Sequence, residues 1–310
     1  MGPRPLAVVP PLSENAGREA IVPLPLSVAV DEPLARLGAA LFSDTIMSED
    51  GKVSCASCHR PEHGMADGRA VSVVPPREPT TLNATTLYNV RFFPRLTWTG
   101  RFPDLGAHLD FLVVSQKVLG SSWEAVAKRL TASPDWSARF RAQFKDGVSV
   151  DNARAALVEY ERSLVTPGAP FDRWLGGDRT ALSDDAVAGY GLFSSYGCVS
   201  CHQGIAIGAN LYQRLGVMGD YFAGRAPRAR DLGRYEQTRQ EEDRHVFRVP
   251  SLRNVALTAP YLHDGTIPTL PAVVNVMADA QLGVVLAPAE VSAITAFLES
   301  LTGDSEALLP

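Results

Sequence analysis

Residues 55–59 of the chain read Cys-Ala-Ser-Cys-His, and residues 198–202 repeat the pattern as Cys-Val-Ser-Cys-His. A C-x-x-C-H pentapeptide is typical of covalent haem c attachment, because two thiols three residues apart can each form a thioether to one edge of a porphyrin. The histidine that follows can then bind the iron from the same side. The two copies use all four cysteines of the chain, which argues against chance. The sequence therefore predicts two haem c groups with histidine as iron ligand, held by Cys55, Cys58, His59, Cys198, Cys201 and His202.

Composition describes a globular chain with enough apolar material for two cores. The 310 residues are 45% hydrophobic and 20% charged, and the formal net charge is −5. A charge of this sign and size gives no basic surface for nucleic acid. No apolar run reaches the roughly 18 residues that a membrane helix needs. A zinc site built from the four thiols is the alternative interpretation, and the histidine directly after each C-x-x-C argues against it.

The first residues, Met1 to Pro5, lack the positive segment and apolar core of a signal peptide. Haem c is normally attached outside the cytoplasm in bacteria. We therefore expect a periplasmic protein whose signal peptide has been removed from this sequence.

Proline content and periodicity divide the chain into three parts. Residues 1–30 are rich in proline, which predicts an extended N-terminal arm. Residues 31–168 and 169–310 each hold one haem motif preceded by a helical pattern, which predicts two domains of related fold. The last helix, from Pro288, packs either within the second domain or across onto the first. We expect a mainly α protein: two cytochrome c-like haem domains with long irregular loops.

Further amphipathic patterns predict individual helices. Pro134 suits a first helical position and Asp151 suits an N-cap. The predicted helices cover residues 32–41, 123–130, 136–144, 152–164, 270–277 and a segment from Pro288.

The sixth ligand of each iron decides the chemistry. A filled sixth position makes an electron-transfer haem, whereas an open position lets peroxide or oxygen bind. Beyond the two motifs, the chain has four histidines and five methionines, and a lone methionine is more often core filling than a ligand. The residues alone leave the sixth ligands open.

The stretch from Val246 to Gly265, VFRVPSLRNVALTAPYLHDG, resembles the bacterial di-haem cytochrome c peroxidases and their relatives, the MauG-type enzymes. Shorter agreement lies in LGAALF at 37–42, WTGR at 98–101 and AFLESLTG at 296–303. The resemblance begins at about residue 30 and is loosest between residues 60 and 125.

The resemblance implies an oxidoreductase with two unequal haems. The haem on His202 would receive electrons at high potential, with Met277 as its sixth ligand, where MauG-type enzymes carry a tyrosine. The haem on His59 would be the peroxide site.

The resemblance also implies a relay and a metal site between the domains. Trp98 would lie between the haems as an electron relay; a packed core aromatic is the alternative. Asn83, with the backbone carbonyl groups of Thr258 and Pro260, would hold a calcium ion, which prefers hard oxygen ligands of this kind.

Two positions depart from the family pattern. Pro75 stands where these peroxidases carry a distal histidine, and His63 is too close to His59 to reach the other face. Val118 stands where they carry an acid/base glutamate. We therefore expect the first haem to be open in all redox states. His108 becomes the candidate acid/base residue, because imidazole can move a proton near neutral pH, with a packed or surface histidine as the alternative.

These residues support three hypotheses for the function. The first is a peroxidase that reduces hydrogen peroxide to water with electrons from a small cytochrome c or cupredoxin. The second is a MauG- or MbnH-like enzyme that oxidises tryptophan or tyrosine residues of a partner protein through a high-valent bis-haem state. The third is a pure electron-transfer cytochrome with two six-coordinate haems. Family members are often dimers, so a homodimer is a further expectation.

Overall fold

The protein is mainly α-helical, as predicted, with long irregular loops between the helices. The computed structural model describes residues 20–73 and 77–305, so the prediction for residues 1–19 and the position of Pro75 lie outside the described residues. No helix in these two ranges is long and apolar enough to cross a bilayer. The helices are α1 (Glu32–Ser43), α2 (Leu105–Val114), α3 (Trp123–Ala132), α4 (Pro134–Gln143), α5 (Val150–Ser163), α6 (Pro170–Leu175), α7 (Asp184–Ser195), α8 (Tyr235–Thr238), α9 (Leu270–Met277) and α10 (Pro288–Glu299).

Among the described residues, one small sheet accompanies these helices. Strand β1 (Tyr212–Arg214) pairs antiparallel with β2 (Val246–Arg248), and Gln213 lies opposite Phe247. The sheet holds the segment that follows the second haem motif against the VFRVP stretch.

The first half of the chain is organised by the crossing of α1 and α5. A Cβ atom at Gly38 would lie 2.0 Å from the carbonyl oxygen of Ala156, so only glycine permits this close approach. Around the crossing lies a core of buried apolar side chains, among them Leu41, Phe42, Leu109, Leu130, Phe140 and Leu157. The first haem motif follows α1 after a short loop.

The second half repeats this arrangement with α7 and α10. A Cβ atom at Gly189 would lie 1.9 Å from the carbonyl oxygen of Ala293. The core beside it is aromatic: the ring of Phe297 lies 5.0 to 5.3 Å from the rings of Phe171, Tyr190 and Phe193. Helix α10 packs against α7 and α9, within the second half. The second haem motif follows α7 directly.

The described part of the N-terminal segment is fastened to the second half by a buried ion pair. Arg253 donates to both carboxylate oxygens of Asp172, at 2.7 and 3.0 Å, and to the carbonyl oxygen of Val22 at 2.9 Å. Asp172 also accepts from the backbone N–H of Leu24. Ile21 belongs to the core of the second half, and Leu24 is buried as well. This segment therefore packs on the second half of the chain.

The helix boundaries confirm some of the predictions and correct others. Pro134 does begin a helix, with Ser133 as the N-cap. The N-cap of α5 is Ser149 and not Asp151, because the Ser149 hydroxyl accepts the N–H of Asn152. The sequence patterns did not predict α2 or α6. Helix α2 carries apolar residues on most of its circumference, so it has no clear polar stripe.

Candidate active site

In the first motif, one ring nitrogen of His59 is occupied by a hydrogen bond and the other is available to bind a metal. Cys55 to Ser57 form a single 3₁₀ turn, and the backbone N–H of His59 donates to the carbonyl oxygen of Cys55. Nδ1 of His59 donates to the carbonyl oxygen of Met65 at 2.7 Å, which leaves Nε2 as the metal-binding atom. Burial lowers the pKa of His59, so the ring is neutral, as a metal ligand must be.

The second motif has the same local geometry. Its backbone turns sharply at Gly197, with φ at 88°, and the N–H of His202 donates to the carbonyl oxygen of Cys198. Burial lowers the pKa of His202 to about 4, and its buried Nδ1 atom has no hydrogen-bond partner. His202 is therefore a neutral imidazole, as a metal ligand must be.

None of the four cysteines, all of which the structure describes, forms a disulfide, and they lie in two separate places. Cys55 packs against the core of the first half and Cys198 against the core of the second. Burial raises the pKa of Cys55 to about 12 and that of Cys198 to about 11. This separation is incompatible with a zinc site of four thiolates, the alternative left by the sequence.

A cavity of about 240 Å³ lies beside the second motif, and its lining residues are those that would hold a haem. Cys198, Cys201 and His202 line it, and so does Met277 at the end of α9. Arg248 also lines it, with its buried Nη1 atom lacking a hydrogen-bond partner, and burial lowers its pKa to about 10. A buried cation facing a cavity calls for an anionic partner, and haem carries two propionate carboxylates. Arg248 lies in the VFRVP stretch, where no sequence pattern predicted this role.

Trp98 and the predicted calcium ligands line this same cavity. The indole N–H of Trp98 donates to the carbonyl oxygen of Asn83 at 3.0 Å. The side-chain N–H of Asn83 donates to the carbonyl oxygen of Arg69 at 2.8 Å, which leaves its amide oxygen as a further acceptor. This oxygen and the carbonyl groups of Thr258 and Pro260 are the hard donors that calcium prefers.

A buried histidine–aspartate pair, His263 and Asp231, packs on the edge of Trp98, and no sequence pattern predicted it. Nε2 of His263 lies 2.7 Å from Asp231, and the rings of His263 and Trp98 are 6.5 Å apart. Asp264 is buried beside them and forms an ion pair with Arg225 at 3.5 Å. The pairing joins residues 32 apart in sequence, so no local pattern predicts it.

His108 lies within electrostatic reach of the first motif. Burial, assisted by nearby His59, lowers the pKa of His108 to about 4. Its ring packs on Phe102, with the centroids 5.0 Å apart. Val118 packs against the first core and offers no group for proton transfer. His63 sits in the turn after the motif, with its ring against Gly68.

Comparison with known proteins agrees with this geometry. The sequence profile of the family described as Di-haem cytochrome c peroxidase matches residues 32–180. The cytochrome c551 peroxidase of Nitrosomonas europaea is 39% identical over 93% of this chain and 86% of its own length. The cytochrome c peroxidase Ccp of Escherichia coli is 37% identical over 92% of this chain, which spans 61% of that longer protein. A crystal structure described as a MauG-like protein associated with microbial copper homeostasis superposes with a TM-score of 0.79 at 24% identity, covering 92% of this chain and 93% of that one, a likeness of fold.

Proposed function

The chain belongs to the di-haem cytochrome c peroxidase family, and on that premise we propose that it reduces hydrogen peroxide to water with electrons from a small periplasmic cytochrome c or cupredoxin. Membership makes it a peroxidase-type oxidoreductase with two haem c groups. The observation that carries the proposal is that Met277 lines the same cavity as Cys198, Cys201 and His202. When bound, the haems supply the redox chemistry, since an iron with an open position binds peroxide and a six-coordinate iron exchanges single electrons.

At the first site, the chain's own residues orient the ligand and move a proton. Cys55 and Cys58 would hold the haem, and the Met65 carbonyl group fixes the ring of His59. His108 is neutral at pH 7 because its pKa is about 4. An imidazole nitrogen of His108 is then a weak proton acceptor and, once protonated, a strong donor. These properties suit the transfer of a proton from one peroxide oxygen to the other.

At the second site, the chain provides a buried positive charge, an iron ligand and a route for electrons to the first site. Met277 would be the second protein ligand of the second iron, and Arg248 would offer a buried cation to a propionate group. Trp98, held by its hydrogen bond to Asn83, relays electrons toward the first site. A calcium ion on Asn83, Thr258 and Pro260 belongs to the same proposal, supported by their common place in the cavity wall.

The two separate cores support a first haem domain of residues 31–168 and a second of residues 169–310. The proposal assigns the peroxide chemistry to the first domain and the entry of electrons to the second. It also places the protein in the periplasm, where haem c is attached.

The decisive test is stopped-flow mixing of the holoprotein with peroxide, followed by steady-state turnover with reduced cytochrome c. We expect a rapid change in the haem spectra and sustained turnover, which His108→Gln slows and His63→Gln leaves intact. Haem spectra that do not respond to peroxide would refute the proposal.

A second candidate function is oxidation of a partner protein. The observation in its favour is the apolar Val118 where the family carries an acid/base glutamate, because slow proton transfer prolongs an oxidised state. Poor turnover of cytochrome c together with a stable near-infrared absorption band after peroxide would favour this candidate. Rapid turnover without such a band would exclude it.

A further inference from the structure

Tyr196 and Glu290 form a hydrogen-bonded pair beside the second haem motif. Tyr196 lies two residues before Cys198 and lines the same cavity as Cys198 and His202. Its hydroxyl group donates to Oε1 of Glu290 at 2.7 Å. The other carboxylate oxygen, Oε2, accepts the backbone N–H of Ala287 at 2.8 Å, at the start of α10. Two donors therefore fix the carboxylate against the phenol.

This phenol differs from the other oxidisable side chains of the cavity in what accepts its proton. In the described part of the chain, the tryptophan and tyrosine residues that line the cavity are Trp98, Tyr196 and Tyr261. Trp98 donates to a backbone carbonyl oxygen at 3.0 Å, and Tyr261 donates to another at 3.1 Å. A peptide carbonyl group does not take up a proton at ordinary pH, whereas a carboxylate does. Of these three described side chains, only Tyr196 is placed to lose its proton as it is oxidised.

Glu290 is ionised at neutral pH and partly exposed to solvent. Its pKa is lowered, first by the hydrogen bond from Tyr196 and then by the backbone N–H of Ala287. Tyr196 itself is half-buried, with exposed Ser195 next to it in sequence. Val285, just before α10, is 94% exposed. The pair therefore connects the cavity wall with a surface that a redox partner can reach.

We propose that Tyr196 is a redox-active residue that passes electrons from the protein surface to the second haem. Tyr196 gives one electron to the oxidised second haem, its O–H bond breaks, and the proton moves to Oε1 of Glu290. One electron from the surface-bound donor and the return of the same proton restore the phenol, so atoms and electrons balance. This inference rests on the proposed function, which supplies the oxidant.

Trp98 is expected to relay electrons without storing a radical, because no group that can accept its indole proton is hydrogen-bonded to it. An oxidised Trp98 keeps its N–H proton, which stays hydrogen-bonded to the Asn83 carbonyl group. It therefore remains a strong oxidant and is quickly reduced again by one electron. Tyr196, having transferred its proton, holds the oxidising equivalent for longer. The radical that accumulates is therefore expected on Tyr196.

The test is freeze-quench EPR of the holoprotein after one equivalent of hydrogen peroxide, with ring-deuterated tyrosine incorporated to identify tyrosyl radicals. We expect the tyrosyl signal in the wild type and in the matched control Tyr261→Phe, and its loss in Tyr196→Phe. Glu290→Gln keeps the phenol and an acceptor for the Ala287 N–H but removes the proton acceptor, so formation of the signal should slow roughly tenfold or more. An undiminished signal in Tyr196→Phe would overturn the inference.

The same samples separate this inference from the proposed function. Haem absorbance recorded beside the EPR spectra reports whether peroxide oxidises the haems at all. If the haems respond and the radical does not depend on Tyr196, the inference alone fails. If the haems do not respond, the proposed function fails, and photo-oxidation with a ruthenium sensitiser then replaces peroxide in the same comparison of variants. Spin trapping with peptide mass spectrometry supplies a second readout, since the adduct must lie on Tyr196.

Discussion

Replacing Gly189 by alanine is expected to destabilise the second haem domain selectively. The added Cβ would lie 1.9 Å from the carbonyl oxygen of Ala293 and 2.5 Å from its carbon. The first of these distances is about 1.5 Å inside ordinary van der Waals contact. Both atoms belong to the backbone of α10, so no side-chain rotation relieves the clash and the two helices must separate.

The expected magnitude follows from two opposing effects. Alanine is favoured over glycine in a helix interior by about 1 kcal/mol. Overpacking costs about 1–3 kcal/mol when side chains can adjust, and more when backbone atoms collide. We therefore expect Gly189→Ala to lower the free energy of unfolding by about 3 kcal/mol, which lowers Tm by roughly 6–12 °C in a domain of this size.

The assay is thermal unfolding of the holoprotein, followed by circular dichroism and by the absorbance of each haem. Gly38→Ala is the counterpart in the first domain, because its Cβ would lie 2.0 Å from the Ala156 carbonyl oxygen. Gly106→Ala on α2 is the matched control, since its nearest neighbours are side-chain atoms at 3.3 and 3.5 Å. Gly106→Ala should be neutral or stabilise by up to about 1 kcal/mol. If Gly189→Ala were as stable as Gly106→Ala, the reasoning about the helix crossing would be refuted.

Three further changes test the sites and the cores. Met277→Ala should convert the second haem from low-spin to high-spin in EPR of the oxidised protein without altering the first; an unchanged spectrum would contradict ligation. Asp172→Asn leaves the buried Arg253 without its anion and should cost about 3–5 kcal/mol in urea unfolding, and a loss below about 1 kcal/mol would contradict the role of the pair. Burial raises the pKa of Glu161 from 4.5 to about 8, so stability should fall as pH rises between these values, because only the unfolded chain then releases the proton. Glu161→Gln should flatten this decline in urea titrations across the range, and an equal slope in both proteins would disprove it.

The haem sites could be predicted from the sequence because each attachment motif is complete within five residues. The resemblance of the VFRVP segment added Met277, Trp98 and the calcium ligands, and the structure brings these residues together around one cavity. Their roles remain predictions until the variants are measured.

Features that depend on distant contacts could not be predicted. Gly38 reads as a helix-weakening residue in sequence, and only the crossing with α5 explains it. Helix α2 lacks a polar stripe, although its N-cap, Asp104, is a signal that could have located it. The pairing of Asp231 with His263, and that of Tyr196 with Glu290, joins residues far apart in the chain. No periodicity records such pairs.

The order of elements along the chain has a consequence for how the holoprotein is made. In each half the attachment motif follows the first helix of the crossing and lies many residues before the second, so haem can be attached before the two helices meet. In the folded chain, burial holds the pKa of Cys55 at about 12, which leaves almost no thiolate to react. Haem attachment is therefore expected to precede closure of α5 and α10 over their cores. The helix crossings at Gly38 and Gly189 would then form last, and each domain would close around a haem that is already covalently attached.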